Sequence, residues 1–196
     1  MHVDAGSRVL LRPPSAGDEA EILRLNRASR AFHSPWVAAP RTPAGFKVYL
    51  ARDGAPDQEA RLVCRCVDGA IVGVINLSQI FRGNFKGAYL GYYIGAGFAR
   101  QGYMREAVDL MLRHAFVHLG LHRVEANVQP ANLASVALVR SLGFRLEGRS
   151  RRYLKIAGRW RDHLRWAILA EEWRESGSRR TAGPHSSAHR VAERGE

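Results

Sequence analysis

The sequence predicts a single α/β domain built on a mixed β-sheet of about six or seven strands. Three observations support this prediction. The chain has 196 residues, 46% of them hydrophobic, which is enough to bury the core of one ordinary domain. Strand-like and helix-like patterns follow one another without an internal repeat. Asp68-Gly69, between two β-rich runs, is the strongest hairpin signal in the chain.

The first half of the chain is predicted to contain a strand, two helices and a three-strand meander. The first strand lies in RVLLRPP, where Pro13 and Pro14 stop it, and acidic residues mark the first turn of the helix that follows. A loop with three prolines leads to a second short helix, around Phe46 to Ala51. Two strands then flank Asp68-Gly69, and AYLGYYIG supplies the third.

The second half is predicted to alternate helix and strand before the terminal strands. Every second residue of HRVEANV is apolar, as expected of a strand with one buried face: Val124, Ala126 and Val128. Pro130 and Asn132 open the next helix, and Gly143 closes it. The sequence FRLEGRSRRYLKIAGRWRDHLRWAIL predicts the final strands, with a turn near Gly158.

The charge of the chain favours a polyanionic partner. The net charge is +12, which is typical of proteins that meet nucleic acid, the ribosome surface or a phosphate-rich ligand. The last 23 residues, 174–196, hold only four apolar residues and are predicted to be a disordered basic tail. With five arginines against three acidic residues, this tail contributes +2, so the domain formed by residues 1–173 carries the remaining +10.

Several classes of protein are not expected. No segment is long and apolar enough to span a membrane, and the N-terminal residues show no signal-peptide pattern, so we expect a cytoplasmic protein. Cys64 and Cys66 are too few for a zinc site and are predicted to be structural thiols on one face of a strand. His114 and His118 stand four apart, but HAFVH lacks the glutamate of a zinc protease, so no metal is predicted.

The segment YIGAGFARQGYMREAVDLMLRHA predicts an anion-binding corner between a strand and a helix. The helix begins after Gly102, and its buried stripe has residues three and four apart: Met104, Val108, Met111, Leu112, Ala115 and Leu119. A helix start offers unpaired N–H groups and a partial positive charge to phosphate. Arg100 and Gln101 are further donors, and a diphosphate would fit this corner. The alternative is that the glycines simply end the strand, since the dinucleotide fingerprint and the P-loop lysine are both absent.

Several motifs in this order resemble the GNAT acetyltransferase superfamily. ARQGYM, preceded by LGYYIG, resembles the acetyl-CoA pyrophosphate loop, written Q/R-x-x-G-x-G/A, and LHRVEANVQPANLASVALVRSLGFRLEG resembles the second cofactor segment. SPWV and YLKIAGRWRDHLRWAIL are similar to the RimJ/RimL branch, the ribosomal-protein-alanine N-acetyltransferases, and to its RimJ type above all. The resemblance covers about Ser7 to Trp173. It implies a mostly antiparallel sheet with helices on both faces and a splayed parallel strand pair at the cofactor site.

The resemblance also implies roles for individual residues. Backbone groups of Tyr93 and Ile94 would hold the pantetheine arm and the thioester carbonyl, and Asn132 would hydrogen-bond the pantetheine. The pyrophosphate would lie against five consecutive residues: Arg100, Gln101, Gly102, Tyr103 and Met104. Trp36 would wall the acceptor entrance. Tyr92 is a candidate to shape the same groove, with a place in the core as the alternative.

The sequence departs from the family pattern at three positions. The loop has Ala99 and Met104 at its first and last positions, so phosphate contacts there would rely more on backbone N–H groups. Many members of the superfamily have a tyrosine that protonates the leaving thiolate. Its position is occupied by Val139, so the usual general acid is absent.

Two residues are candidates for acid and base catalysis. Ser135, one turn beyond Asn132, is the candidate to donate a hydrogen bond to the departing sulfur, and helix surface or packing is the alternative. Glu125, on the strand beside the cofactor, is the candidate general base, and a solvent-facing strand residue is the alternative.

The predicted function is direct transfer of acetyl from acetyl-CoA to an amine, without a metal. An α-amine, with a pKa of roughly 7.7 to 8.0, is deprotonated more readily than lysine at about 10.4, which favours the N-terminal Ala or Ser of a ribosomal protein. A small-molecule amine such as a polyamine or antibiotic is one alternative. A non-enzymatic ribosome-assembly or RNA-binding role is the other, with basic residues in RSRRYLK and RWRDHLR as the contact. Both a monomer and a homodimer are compatible with the sequence.

Overall fold

One eight-stranded sheet is the centre of the structure, a computed structural model that describes residues 4–52 and 54–181. Its strands are β1 (Asp4–Ala5), β2 (Val9–Arg12), β3 (Gln58–Arg65), β4 (Ile71–Phe81), β5 (Gly87–Ile94), β6 (Arg123–Val128), β7 (Arg145–Ile156) and β8 (Arg159–Leu169). The α-helices are α1 (Glu19–Ala28), α2 (Arg30–His33), α3 (Pro43–Arg52), α4 (Tyr103–Arg113), α5 (Leu133–Ser141) and α6 (Ala170–Thr181). In space the strands follow the order β1-β2-β3-β4-β5-β6-β8-β7.

The sheet is mixed and mostly antiparallel, as predicted. Seven of the strands are those expected from the sequence, and β1 is a two-residue addition that pairs with β2. Only β5 and β6 form a parallel pair among the strands described. A parallel pair needs a crossover connection, and α4 supplies it.

Helices cover both faces of the sheet. Neighbouring residues of a strand point to opposite faces, and in β4 they belong to two separate hydrophobic clusters. Val74 packs with residues of α1 and α3, whereas Ile75 packs with residues of α4. The face that carries α1 and α3 is called the α1 face below, and the other is called the α4 face.

The two helices predicted around the cofactor segments are confirmed. The buried residues of α4 include the expected stripe: Met104, Val108, Met111 and Leu112. The helix continues as a π-helical turn, His114–His118, and Gly120 follows with a φ of +63°. Helix α5 begins after Asn132, whose side chain accepts a hydrogen bond from the Ser135 N–H, and Gly143 lies just beyond it with a φ of +90°.

The prediction that Cys64 and Cys66 share one face of a strand is wrong. Strand β3 ends at Arg65, so Cys66 lies beyond it and is exposed, whereas Cys64 is buried. A register shift between Val63 and Cys64 precedes the hairpin turn and breaks the simple alternation. Burial raises the pKa of the Cys64 thiol, which keeps it protonated at neutral pH.

The predicted boundary of the tail, at Arg174, falls inside a helix. Helix α6 continues to Thr181, so the described part of the predicted tail is helical. Trp173 anchors this helix, since its indole N–H donates to Asp109 and its ring lies 5.8 Å from that of Phe116. The rest of the predicted disordered tail, residues 182–196, lies outside the described residues.

Membrane spans and metal clusters are absent from residues 4–52 and 54–181. No helix in these ranges combines the length and the hydropathy that crossing a bilayer requires. No group of three or more His, Cys, Asp and Glu side chains in the same ranges could hold a metal ion. The rings of His114 and His118 lie 5.6 Å apart, and Glu59 is 3.6 Å from His114.

Candidate active site

The parallel strands β5 and β6 separate at one edge of the sheet. Their register runs from Gly87 opposite Arg123 to Leu90 opposite Ala126 and stops there. Beyond that pair, β5 continues to Ile94 and β6 continues to Val128. Because parallel strands end at the same edge, α4 and α5 both begin beside this gap. The site is described below from the gap outward.

The corner between β5 and α4 presents a preformed site for an anion. A short 3₁₀ turn, Ala96–Phe98, is followed by Arg100 and Gly102, which have φ values of +61° and +84°. The first intrahelical bond joins the Glu106 N–H to the Gly102 carbonyl, so the preceding N–H groups of the helix have no partner within it. Unpaired N–H groups and the helix dipole favour a phosphate at this position.

Arg8, which the sequence analysis missed, holds this corner in place. Its Nη1 donates to the Gln101 carbonyl at 3.0 Å, and its Nε lies 3.1 Å from the Glu106 carboxylate. Its guanidinium carbon lies 5.5 Å from the centre of the Tyr103 ring. The Arg8 side chain remains 53% exposed, so it adds positive charge next to the helix start.

Glu106 lies in the first turn of α4, where a free carboxylate would repel phosphate. Its carboxylate accepts hydrogen bonds from the Arg8 backbone N–H at 2.8 Å and from the Arg8 side chain. Burial by itself would raise the pKa of Glu106, but these bonds outweigh burial and lower it. Glu106 therefore acts as a tie between α4 and the chain that enters β2, with Arg8 neutralising its charge.

The residues predicted to line the pyrophosphate differ in what they offer. The Gln101 amide donates to the Gly97 carbonyl within the loop. Met104 is buried in the core, so only its backbone N–H can reach a ligand. The backbone N–H of Tyr103 lies at the helix start, and Arg100 is exposed. The structure therefore brings together the N–H groups of the corner, while two of the predicted side chains serve the fold.

Polar residues of α1 and α2 hold the end of β5. Ser29 Oγ accepts the Ala96 N–H at 2.9 Å, and His33 Nε2 lies 2.9 Å from the Ile94 carbonyl oxygen. The Asn26 amide donates to the Tyr93 hydroxyl at 3.3 Å. This group was not predicted from the sequence, although the spacing of its polar residues by three and four positions was a signal for it: Asn26, Ser29 and His33.

Tyr92 and Ser135 meet on the α4 face. Their hydroxyl oxygens are 2.6 Å apart, and Tyr92 packs against the cluster that contains α4. Burial raises the pKa of Tyr92 to about 12. The structure therefore puts Tyr92 beside the predicted hydrogen-bond donor Ser135, which does not fit the acceptor-groove role predicted for Tyr92. Val139, at the position of the missing acid, is fully buried.

Tyr93 lies on the α1 face, and the loop that carries Trp36 follows α2. Tyr93 packs against the cluster formed by α1 and α3, and the edge of the His33 ring meets it at 4.9 Å between centroids. The loop that carries Trp36 is tied to the end of β6, because Gln129 donates to the carbonyls of Pro35 and Trp36 at 3.2 and 3.4 Å.

Glu125 differs from both readings of the sequence. It pairs with Tyr89 in the part of the strands that lies before the gap. Its side chain is 13% exposed, and Arg123 Nε donates to it at 2.8 Å. Arg123 also pairs with Glu147. Glu125 is therefore part of a charged network and does not face solvent, while its role as the general base stays a prediction.

The gap lies between two different environments. The corner on one side suits a phosphate group, and the α1 face, with Tyr93, lies on the other side. The chain belongs to the GNAT acetyltransferase family, since residues 8–145 match the family described as "Acetyltransferase (GNAT) domain". The predicted fold family and enzyme class are confirmed.

Named relatives agree with this assignment. The protein named Probable N-acetyltransferase YjcK of Bacillus subtilis is 33% identical over an alignment of 173 residues, and the alignment covers 84% of this chain and 95% of that protein. The [Ribosomal protein uS5]-alanine N-acetyltransferase of Escherichia coli is 41% identical over 103 residues, which are 53% of each chain. This chain therefore matches about half the length of the E. coli enzyme.

Solved structures show the same fold. Mycobacterium smegmatis RimJ, solved in complex with CoA-disulfide, has a TM-score of 0.78 and 31% identity, with 87% of this chain and 85% of that chain covered. The spermidine N-acetyltransferase of Vibrio cholerae, solved with CoA and spermine, has a TM-score of 0.72 and 23% identity, with 86% and 99% covered. The second likeness shows the fold alone.

Enzymes of this family use acetyl-CoA, and the corner fits its phosphates. The N–H groups that precede Glu106 in α4 have no intrahelical acceptor. Gly102 is favoured there by its φ of +84°, and a Cβ on it would also push the Arg8 side chain aside, since Arg8 Nη2 would lie 2.9 Å away. These features supply donors, positive charge and close access for the backbone.

We predict that Gly102→Ala weakens both the fold and CoA binding. A non-glycine residue at a φ of +84° costs about 1–2 kcal/mol, which urea unfolding would measure. Displacement of Arg8 and the corner should also lower CoA affinity about tenfold, a loss equal to about one charge-assisted hydrogen bond, in titration calorimetry.

Gly97→Ala is the matched control for this change. Its added Cβ meets nothing within 4 Å, and Gly97 is not among the residues with positive φ. We expect this variant to keep wild-type stability and CoA affinity. Equal losses in both variants would contradict the role assigned to the Gly102 corner.

Proposed function

We propose that the protein transfers the acetyl group of acetyl-CoA to the N-terminal α-amine of a ribosomal protein that begins with Ala or Ser. One observation carries the proposal: β5 and β6 part beyond Leu90 and Ala126, beside a helix start that can bind an anion. The choice of acceptor is supported by the similarity to a uS5-alanine N-acetyltransferase and to RimJ. We expect the reaction to take place in the cytoplasm, where ribosomal proteins are made.

In this proposal the chain divides the binding of acetyl-CoA among three elements. The N–H groups at the start of α4, with Arg8 and Arg100 nearby, bind the diphosphate. Backbone groups of Tyr93 and Ile94 hold the pantetheine arm, and Asn132 contributes from the start of α5. The amine nitrogen attacks the carbonyl carbon of the acetyl thioester, so that a C–N bond forms and the C–S bond breaks. Coenzyme A leaves as the thiol, and the proton lost by the amine passes to water.

Tyr92 and Ser135 are proposed to replace the missing general acid at Val139. Their hydroxyls share a hydrogen bond of 2.6 Å on the α4 face. Because burial raises the pKa of Tyr92 to about 12, its hydroxyl stays protonated at neutral pH and can donate to the departing sulfur through Ser135 or beside it. The pair offers a donor where Val139 offers none.

Glu125 is a weaker candidate for the base than the sequence suggests. Arg123 donates to its carboxylate, and Glu125 lies in the paired part of β6, before the gap. We propose that the carboxylate shapes the electrostatics of the α1 face rather than taking the proton itself.

A contact with ribosomal RNA is a second proposal, carried by the β7–β8 hairpin. Seven arginines lie on these two strands: Arg145, Arg149, Arg151, Arg152, Arg159, Arg161 and Arg165. Asp162 pairs with Arg149 and accepts the Arg152 backbone N–H, so acidic neighbours offset only part of this charge. The hairpin would then hold the enzyme close to its acceptor on the ribosome.

A substrate panel tests the acceptor. Thiol release from acetyl-CoA would be followed with peptides that begin with Ala or Ser, with lysine peptides whose N-terminus is blocked, and with spermidine. We expect turnover on the free N-terminal peptides only, because the α-amine is deprotonated more readily near neutral pH.

The other outcomes of the panel identify the alternatives. Turnover on spermidine alone would overturn the proposal in favour of a small-molecule acetyltransferase. Binding of acetyl-CoA without turnover on any acceptor, together with salt-sensitive RNA binding, would favour the non-enzymatic role.

We predict that Tyr92→Phe lowers kcat on the best peptide about 100-fold, the lower range for a general acid. The KM for acetyl-CoA should change little, because the phosphate and pantetheine contacts remain. Ser135→Ala should lower kcat less, since the Tyr92 hydroxyl is retained. Steady-state kinetics at pH 7.5 would measure both effects.

Tyr89→Phe is the matched control. Tyr89 lies on the same strand, but in its paired part and on the opposite face from Tyr92. We expect this variant to keep the wild-type kcat. A Tyr92→Phe enzyme with full kcat would contradict the role of the Tyr92–Ser135 pair.

A further inference from the structure

A pocket of about 90 Å³ lies on the acceptor side of the site. It is enclosed by α1, α2, the loop that follows α2 and the turn between β7 and β8. Asn26 and His33 line it, as do Arg30, Arg41 and Ala157. Its volume corresponds to about three water molecules, enough for a small polar group.

Asn26 contributes a buried acceptor without a donor. The residue is fully buried, and its amide nitrogen donates to the Pro40 carbonyl at 2.8 Å. A backbone carbonyl only accepts hydrogen bonds, so this contact fixes which end of the amide is nitrogen. The remaining atom, Oδ1, receives no hydrogen bond within the described residues.

His33 contributes a second acceptor of the same kind. It is 5% exposed, and its Nε2 must carry the proton because it faces the Ile94 carbonyl oxygen at 2.9 Å. In a neutral imidazole the other nitrogen, Nδ1, is then an acceptor. No described residue donates to Nδ1. Burial lowers the pKa of His33, so the ring is neutral near pH 7.

Asn26 and His33 both line the pocket, and a buried acceptor without a partner on each of them suits a ligand with N–H or O–H groups. The charges around them decide which form of an amine fits. Arg30 and Arg41 are the charged residues of the lining, the lining contains no carboxylate among the described residues, and Tyr93 is the titratable neighbour on β5. An ammonium would find no counter-ion here and would be repelled, whereas a neutral amine offers two N–H donors and keeps its lone pair.

We propose that this pocket is the acceptor-amine subsite, in which Asn26 Oδ1 and His33 Nδ1 accept the two N–H groups of a neutral primary α-amine. The proposal rests on the proposed function and names how that site recognises its substrate. His33 also holds the carbonyl of Ile94, at the end of β5. One imidazole ring therefore links the bound amine to the strand end beside the gap.

Recognition of the neutral form explains a preference for α-amines over lysine. The ordinary pKa values, roughly 7.7 to 8.0 for an α-amine and about 10.4 for lysine, differ by about 2.5 units. Near neutral pH, the neutral fraction of an α-amine is therefore about 300-fold larger. The small pocket volume further favours an N-terminal residue with a small side chain, such as Ala or Ser.

Two variants of His33 separate its two hydrogen bonds. In His33→Gln, the amide nitrogen takes the position of Nε2, so the donor to Ile94 is kept and the acceptor Nδ1 is lost. In His33→Asn, an acceptor remains near Nδ1 and the donor to Ile94 is lost. If His33 only held Ile94, His33→Gln would behave like the wild type, so a raised peptide KM in that variant is specific to Nδ1.

We expect His33→Gln to raise the KM for an Ala- or Ser-peptide about tenfold or more, the effect of losing one hydrogen bond at a buried group, while the KM for acetyl-CoA stays within about twofold. His33→Asn should instead raise the KM for acetyl-CoA, because the end of β5 loses its tie. Below the His33 pKa the ring is protonated and Nδ1 becomes a donor. Protonation of the peptide amine raises the KM in both enzymes as the pH falls, so the wild-type KM should rise more steeply than the KM of His33→Gln.

A binding measurement keeps this test independent of turnover. The ¹⁵N resonance of His33 Nδ1 can be assigned because His33→Gln removes it. This resonance should shift when an Ala-peptide is added to the full-length protein with CoA. It should not move with the same peptide acetylated at its N-terminus. No movement with either peptide, alongside turnover in the substrate panel, would overturn the subsite and leave the proposed function intact. Movement without turnover would support the subsite and refute the acetyl transfer.

Discussion

The parting of β5 and β6 after Leu90 and Ala126 is the constraint on which the rest of the site depends. Backbone groups at the ends of separated strands lose their ladder partners and need others, because an unpaired buried group costs about 1–3 kcal/mol. Elements outside the sheet supply these partners. His33 meets the Ile94 carbonyl and Ser29 meets the Ala96 N–H, so the open end of β5 is held in a defined geometry. The gap can then stay open without destabilising the fold.

Opening the sheet also sorts the chemistry onto two faces. The α4 face carries the helix start, with Arg8 to neutralise Glu106, and the Tyr92–Ser135 pair. Phosphate and a leaving thiolate are both negatively charged and are stabilised by hydrogen-bond donors. The N–H groups of the helix start and the two hydroxyls are such donors. The pocket on the α1 face offers the opposite: the two unpartnered acceptors there, beside two arginines, suit a neutral amine. In the proposed function, the acetyl donor and the acceptor amine therefore bind on opposite sides of β5.

Local sequence patterns predicted the fold and the anion-binding corner between β5 and α4, whereas contacts between distant segments could not be predicted from the sequence. The stripe of α4 and the glycine at its start follow from spacing and backbone geometry alone. Arg8 and Glu106 are 98 positions apart in the sequence, and no local pattern near either residue indicates that they form a hydrogen bond. Alternation put Tyr92 and Tyr93 on opposite faces without saying which face holds the cofactor. Helix α6 likewise extends past the predicted boundary because Trp173 packs against distant Phe116.

The central claim is that one gap holds the acetyl donor between a phosphate corner and an amine pocket. A crystal structure of the protein with a conjugate of CoA and an Ala-peptide tests it most directly. We expect diphosphate oxygens within hydrogen-bond distance of the first N–H groups of α4, pantetheine between β5 and β6, and the peptide on the side of His33 and Tyr93. A conjugate bound elsewhere, or β5 and β6 paired through to Ile94 and Val128 in the complex, would contradict it.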